Sequence, residues 1–150
     1  MSHSSENTVS IRCTLPEVDT GIVTISLSPD QLLPGEADGA WANIEIVWGE
    51  SRVLAKPFVP RQVISECKRL HHRSTYQGNL NFGIVDTDHS FKLAFQYDDR
   101  QRHYTTSFSV RYFQTTDKNG ILFCADGLIA SLDDVRRFIE ETARLLNVYE

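Results

Sequence analysis

The sequence predicts an α+β fold, a largely antiparallel, curved sheet of about seven or eight strands with two helices, one mid-chain over 60–72 and one C-terminal over 131–147. Three observations lead there. Apolar residues alternate with polar ones along most of the chain, the mark of half-buried strands. The spacing switches to a helical period in only two places. Successive strand candidates are joined by short Gly-, Asn- or Asp-containing turns, which suit hairpins and leave no room for crossover helices. With 150 residues, 41% hydrophobic and 23% charged, the chain can build one core and is too short for two comfortable ones. The expectation is a single domain over 1–150, with a flexible tail over 1–7 and an acidic loop over 28–40.

Val9, Ile11, Cys13 and Leu15 alternate with polar neighbours up to Pro16 and define the first strand. Val23, Ile25 and Leu27 define a second that stops at Ser28-Pro29, where the acidic loop begins. Trp41 to Trp48 is strand again, with Ile44, Ile46 and Trp48 on one face and Trp48 expected as a core anchor. Gly49-Glu50-Ser51 turns the chain into a partner strand over Arg52 to Lys56. From Pro60 to His72 the apolar positions Val63, Ile64, Cys67 and Leu70 form one helical stripe. Pro60 is placed at the first helical position, where its missing N–H costs nothing.

Beyond Gly78, Leu80, Phe82 and Ile84 share a strand face. A turn over Asp86 to Ser90 leads into Phe91, Leu93, Phe95 and Tyr97, and Asp98 to Arg102 turns the chain again. Tyr104, Thr106, Phe108, Val110 and Tyr112 form one face of the longest strand. A turn at Asn119-Gly120 is expected before a last strand, Ile121 to Ala130, bent at Asp126-Gly127. In SLDDVRRFIEETARLLN, Ser131 can cap the first turn with Asp134 three residues on. Leu132, Val135, Phe138, Ile139, Thr142, Leu145 and Leu146 line one helix face, and Asp133–Arg137 and Glu140–Arg144 are spaced for ion pairs.

Sites of chemistry are sparse. His71 and His72 are adjacent, so on a helix they diverge by about 100° and cannot act as the i, i+4 pair of a helical metal site. Asp86-Thr87-Asp88 opens like a calcium loop, but Phe91 stands where the glycine is needed and Tyr97 where the bidentate Glu is needed. No nucleotide-cradling glycine motif or nucleophile elbow is present, and Gly35, Gly39, Gly49 and Gly78 read as single turn glycines. Cys67 lies on an apolar helix stripe, where a thiol is poorly reactive. Cys13, Cys67 and Cys124 are expected as buried reduced thiols. Asp98 and Asp99 beside Arg100 and Arg102 read as a solvated hairpin turn. No catalytic residue, no cofactor and no metal is therefore expected. An enzyme reading would rest on Cys67, His71 or Asp98. No apolar run is long enough for a membrane span, and MSHSSENT lacks the plan of a secretory signal, so a cytoplasmic chain without membrane contact is expected.

Charge is the most distinctive property. The total is −5, but residues 1–50 carry −7 with Arg12 their only base, residues 51–100 carry +3, and residues 101–150 carry −1. Such a front repels nucleic acid and attracts basic partners. In the stretch from Ser28 to Glu50, Trp41 with Leu32 and Leu33 supplies an apolar centre. Asp30, Glu36, Asp38 and Glu45 supply a charged rim, the anatomy of a protein interface. Asp30, Glu36, Asp38, Trp41 and Glu45 are the expected partner-binding residues. The competing expectation is a small-molecule or regulatory module whose pocket is lined by Phe82, Phe91, Phe95, Phe108 and Tyr112.

The run FVPRQVISECKRL (58–70), the stretches Leu80-Asn81-Phe82 and Phe91-Lys92-Leu93-Ala94-Phe95, and the strand-into-helix segment GLIASLDDVRRFIEETARLL (127–146) together resemble small bacterial immunity proteins of polymorphic toxin systems, the WapI-type group in particular. The resemblance spans roughly Phe58 to Leu146, leaves the acidic front unaligned and transfers no functional residue. It implies an antidote that binds a secreted toxin domain and blocks it. Many such toxins are basic nucleases, so the implied partner is a basic toxin domain, with the oligomeric state left open.

Overall fold

The computed structural model describes residues 7–17, 21–30, 38–71, 82–86, 90–114 and 117–146. The strands are β1 (Val9–Thr14), β2 (Ile22–Pro29), β3 (Gly39–Trp48), β4 (Ser51–Ala55), β5 (Phe58–Pro60), β6 (Phe82–Val85), β7 (Phe91–Asp98), β8 (His103–Gln114) and β9 (Asp117–Ala130). The helices are α1 (Arg61–His71) and α2 (Leu132–Leu145). Every strand pairing is antiparallel, in the order β4-β3-β2-β1-β9-β8-β7-β6, with β5 pairing β3 off this path. The α+β class, the antiparallel sheet and both helices are as the sequence predicts.

The sheet consists of two meanders, β1–β4 and β6–β9, joined by one short ladder in which Thr14 opposes Ile129. α2 packs on β1, β2 and β8, α1 packs on β3, β5 and β6, and the two helices pack on each other. Both therefore cover the same side of the sheet. The inward positions follow the predicted alternation: Val9, Ile11 and Cys13; Val23, Ile25 and Leu27; Phe91, Leu93 and Phe95; Tyr104, Thr106 and Phe108 are all buried. From α2, Val135, Phe138, Ile139, Thr142 and Ala143 close the core. Phe138 meets Phe95 edge-on at 5.9 Å between ring centroids, and Phe95 in turn meets Tyr104 at 6.5 Å. That geometry is the one aromatic quadrupoles favour.

Ser131 caps α2, its hydroxyl accepting from the Asp134 N–H at 3.1 Å as the capping pattern requires. The predicted Asp133–Arg137 pair is replaced. Arg137 lies 3.8 Å from the Asp134 carboxylate and donates to the Ser10 carbonyl, tying the helix to β1. The predicted bend at Asp126-Gly127 is present. Gly127 has φ +73°, and the β8–β9 register shifts between Thr106 and Phe108, the extra residue of a bulge.

Four further expectations give way to tertiary context. Pro60 ends strand β5 and does not begin α1; it pairs with Gly39, and the Arg61 N–H that follows donates to the Asp38 carbonyl at 2.7 Å. Asn119-Gly120 does not turn the chain. It lies inside β9, with Gly120 opposite Phe113, because the long β8 keeps pairing up to Gln114. The acidic loop is narrower than 28–40, since Ser28-Pro29 belong to β2 and Gly39-Ala40 to β3. Gly39 is a close-approach glycine and not a turn glycine: a Cβ there would run into the Val59 carbonyl of β5. The tail over 1–6, the segment 31–37, and the site residues Glu36 and His72 lie outside the described residues.

Candidate functional site: an acidic corner and an open groove

Among the expected partner-binding residues, Trp41 and Asp30 come together. The Asp30 N–H donates to the Trp41 carbonyl at 3.0 Å, continuing the β2–β3 ladder past Pro29–Ala42. Alternation then puts Trp41 on the outer side of the sheet, because Ala42, Ile44 and Ile46 point inward. Its ring is half-buried and rests edge-on against Phe58 at 5.1 Å. Phe58 lies directly opposite on β5, so the short strand that the sequence did not predict is what supports the ring. Asp38 is exposed at the entry to β3, and its carbonyl holds the first N–H of α1. Trp41, Asp30 and Asp38 thus form one corner where strand, loop and helix meet.

Glu45 does not join that corner as an open charge. It lies on the same outer face, about 13 Å farther along β3 at the usual rise per residue, and Arg52 of β4 sits on it at 2.5 Å. This exposed pair neutralises much of its field locally while contributing little to stability.

The other candidates resolve into structure. Desolvation by burial raises the Cys67 thiol to about 12, the Glu66 carboxylate adding to it. The Cys13 thiol rises to about 11, again mainly by burial, with Asp134 adding and the neighbouring Thr106 hydroxyl opposing. Protonated thiols of this kind are weak nucleophiles. Cys124, expected to be buried, is exposed on the outer side of β9, where it pairs with the outward Ser109. Asp98 accepts from the Arg100 and Gln101 N–H groups of its own turn. Asp86 is buried and closes the β6–β7 hairpin, accepting from the Phe91 N–H and the Ser90 hydroxyl. Among the described residues, no group of three or more His, Cys, Asp or Glu side chains could hold a metal ion. Among the same residues, no helix is long and apolar enough to cross a membrane.

The thiols make a measurable prediction. A free thiol titrates near 9, so above that pH the unfolded chain releases protons that the folded chain retains. Stability from each buried thiol is fully present below pH 9 and declines by about 1.4 kcal/mol per pH unit above it, up to the folded value. Urea titrations at pH 8, 9 and 10 should show that decline, and Cys67→Ala should make it shallower. In native protein at pH 8, iodoacetamide should label one cysteine, Cys124.

The aromatic pocket expected from Phe82, Phe91, Phe95, Phe108 and Tyr112 is not formed as such. Phe82, Phe91 and Phe95 are spent on the core beneath the helices, and the Tyr112 side chain lies outside the described residues. A different concavity exists where the two meanders diverge past the Thr14–Ile129 ladder. It is an open groove of about 930 Å³ with Val23, Ile46, Trp48 and Val53 on one wall and Phe108 and Phe123 on the other. All six point to the helix-covered side of the sheet, but the helices do not reach this end. Trp48, expected as a core anchor, is consequently 52% exposed and Phe123 44% exposed. The face assignment of Trp48 was legible in the Ile44, Ile46, Trp48 alternation; its lack of cover was not. Neither a family model, nor a curated protein, nor a solved structure matches this chain.

Proposed function

We propose that this chain is a cytoplasmic immunity-type protein that binds a basic toxin domain through its acidic front and blocks it by occlusion, without catalysis of its own. The observation that supports the reading is the corner in which the half-exposed Trp41 ring lies beside Asp30 and the exposed Asp38. The surrounding first fifty residues hold a single base. An aromatic anchor within an acidic rim suits a cationic protein surface. The net negative field speeds encounter and disfavours nucleic acid, which a nuclease antidote must not bind in place of the nuclease. Glu36 is retained as a contact residue on its sequence position, two residues before Asp38. Glu45 contributes less than its neighbours because Arg52 already compensates it.

The test is to look beside the gene for one encoding a large secreted protein, and to titrate the intact chain calorimetrically with that protein's basic C-terminal domain. Tight binding is expected, together with protection of cells expressing that domain. Glu36→Lys combined with Asp38→Lys should weaken binding at least tenfold, about 1.4 kcal/mol, with the melting temperature unchanged. Asp99→Lys combined with Asp133→Lys, an equal charge change at exposed positions outside the acidic front, should have little effect. Absence of binding to that domain, or equal losses for both pairs of substitutions, would refute the reading.

A further inference from the structure

The groove between the meanders lies away from the acidic corner. Trp41 and Trp48 are seven residues apart on β3, about 23 Å at the usual strand rise, and they point to opposite faces. We propose that the groove is a second docking site, one that takes an apolar side-chain anchor from a protein segment flanked by Lys or Arg. The inference extends the binding reading above but does not depend on the corner.

Two properties select that occupant. The walls are aliphatic and aromatic, and Trp48 and Phe123, both on the helix-covered side, expose large apolar faces into the groove from its two walls. Isolated exposed apolar residues need no explanation, whereas several converging on one concavity mark an interaction surface. The rim carries the second property. Asp126 lines the groove and is exposed. Glu50 is exposed in the turn between Trp48 and Ser51, and Glu17 is exposed in the turn just beyond Leu15. The β1–β2 and β3–β4 turns lie at the same end of their meander, and β9 runs past that end with Asp126, so the three acids share the mouth. The cation there, Arg52, is engaged by Glu45.

An apolar slot with an acidic mouth disfavours a second copy of this chain, since pairing groove to groove would bring six carboxylates together. It disfavours a fatty acid, whose carboxylate would meet the same field, and nucleic acid for the same reason. It favours an aliphatic or aromatic anchor between basic neighbours, the arrangement in which a buried apolar centre supplies affinity and complementary rim charges supply orientation and rate.

The experiment uses the ¹⁵N-labelled intact chain, whose two indole N–H signals are assigned by Trp48→Phe. The probe is a synthetic peptide with two leucines flanked on each side by two lysines; a matched peptide has glutamates in place of the lysines. The lysine peptide should move the Trp48 signal saturably and leave the Trp41 signal in place. Glu50→Lys combined with Asp126→Lys should weaken binding at least fivefold, as should raising the salt, and the glutamate peptide should bind at least tenfold more weakly. Glu36→Lys with Asp38→Lys should leave this titration unchanged, so failure here and failure of the corner reading are separable. Four results would overturn the proposal: no shift at Trp48; equal affinity for both peptides; tighter binding of dansyl-undecanoic acid than of the lysine peptide; or a concentration-dependent dimer that Trp48→Ala dissolves.

Discussion

Phe138→Ala should remove about 3–5 kcal/mol of folding stability, the largest single-residue loss expected in the molecule. The ring has no exposed surface and sits at the centre of the α2 stripe, edge-on to Phe95, where helix and both meanders converge. Truncation forfeits the transfer free energy of the ring and leaves a cavity that cannot collapse, because Phe95 is itself held by Tyr104. Domains of this size are stable by about 5–15 kcal/mol, so the variant should lie close to the folding threshold. At about 2–4 °C per kcal/mol, the melting temperature should drop by roughly 6–20 °C. Urea titration should show a lower midpoint with an unchanged slope. Arg136→Ala, two residues away and on the solvent side, is the control and should change stability by no more than about 0.5 kcal/mol. A Phe138→Ala loss below about 1.5 kcal/mol would mean that α2 does not close the core as described.

Gly39→Ala should cost on the order of 3 kcal/mol, and Gly49→Ala about 1 kcal/mol. Both glycines have positive φ, +157° and +60°. At Gly49 nothing lies within 4 Å of an added Cβ, so the cost is conformational alone. At Gly39 the Cβ would also strike the Val59 carbonyl and crowd the Phe58 ring. Strand β5 would have to move away, taking with it the support under Trp41 and the Asp38–Arg61 link to α1. Denaturation should therefore rank the two substitutions in that order, and Trp41 fluorescence should shift only for Gly39→Ala. Equal costs would show that β5 yields freely and that the corner is not rigidly built.

Much of the fold could be read because it follows from local periodicity. The inward faces of β1, β2, β7 and β8 and the α2 stripe are statements about alternation and helical spacing, and burial only ratifies them. The Ser131 cap and the Gly127 bend are equally local, one a hydroxyl three residues before an N–H and the other a glycine able to take φ +73°. The misses share a cause. Asn119-Gly120 has turn chemistry, but a strand already paired on one side continues at little cost, and that pairing overrides the preference of two residues. Pro60 suits a first helical turn, yet it is held in β5 by Gly39, a residue 21 positions earlier.

The candidate site divides in the same way. Its acids and aromatic residues are visible as composition, while their assembly depends on which strands become neighbours. Asp30 meets Trp41 because the β2–β3 ladder extends past Pro29, and Glu45 loses its open charge because β4 brings Arg52 over it.

By itself, the sequence determined which residues face inward along each strand and helix, where α2 begins, and that the first fifty residues carry a net charge of −7; each can be read from the order of residues along the chain. Only the tertiary structure decided that Trp48 stands uncovered, that Trp41 rests on a strand from beyond β4, and that a groove opens between two meanders. Those outcomes depend on how far the helices reach over a sheet whose halves share one short ladder, and no periodicity within a strand encodes the position of an element that packs on it from elsewhere in the chain.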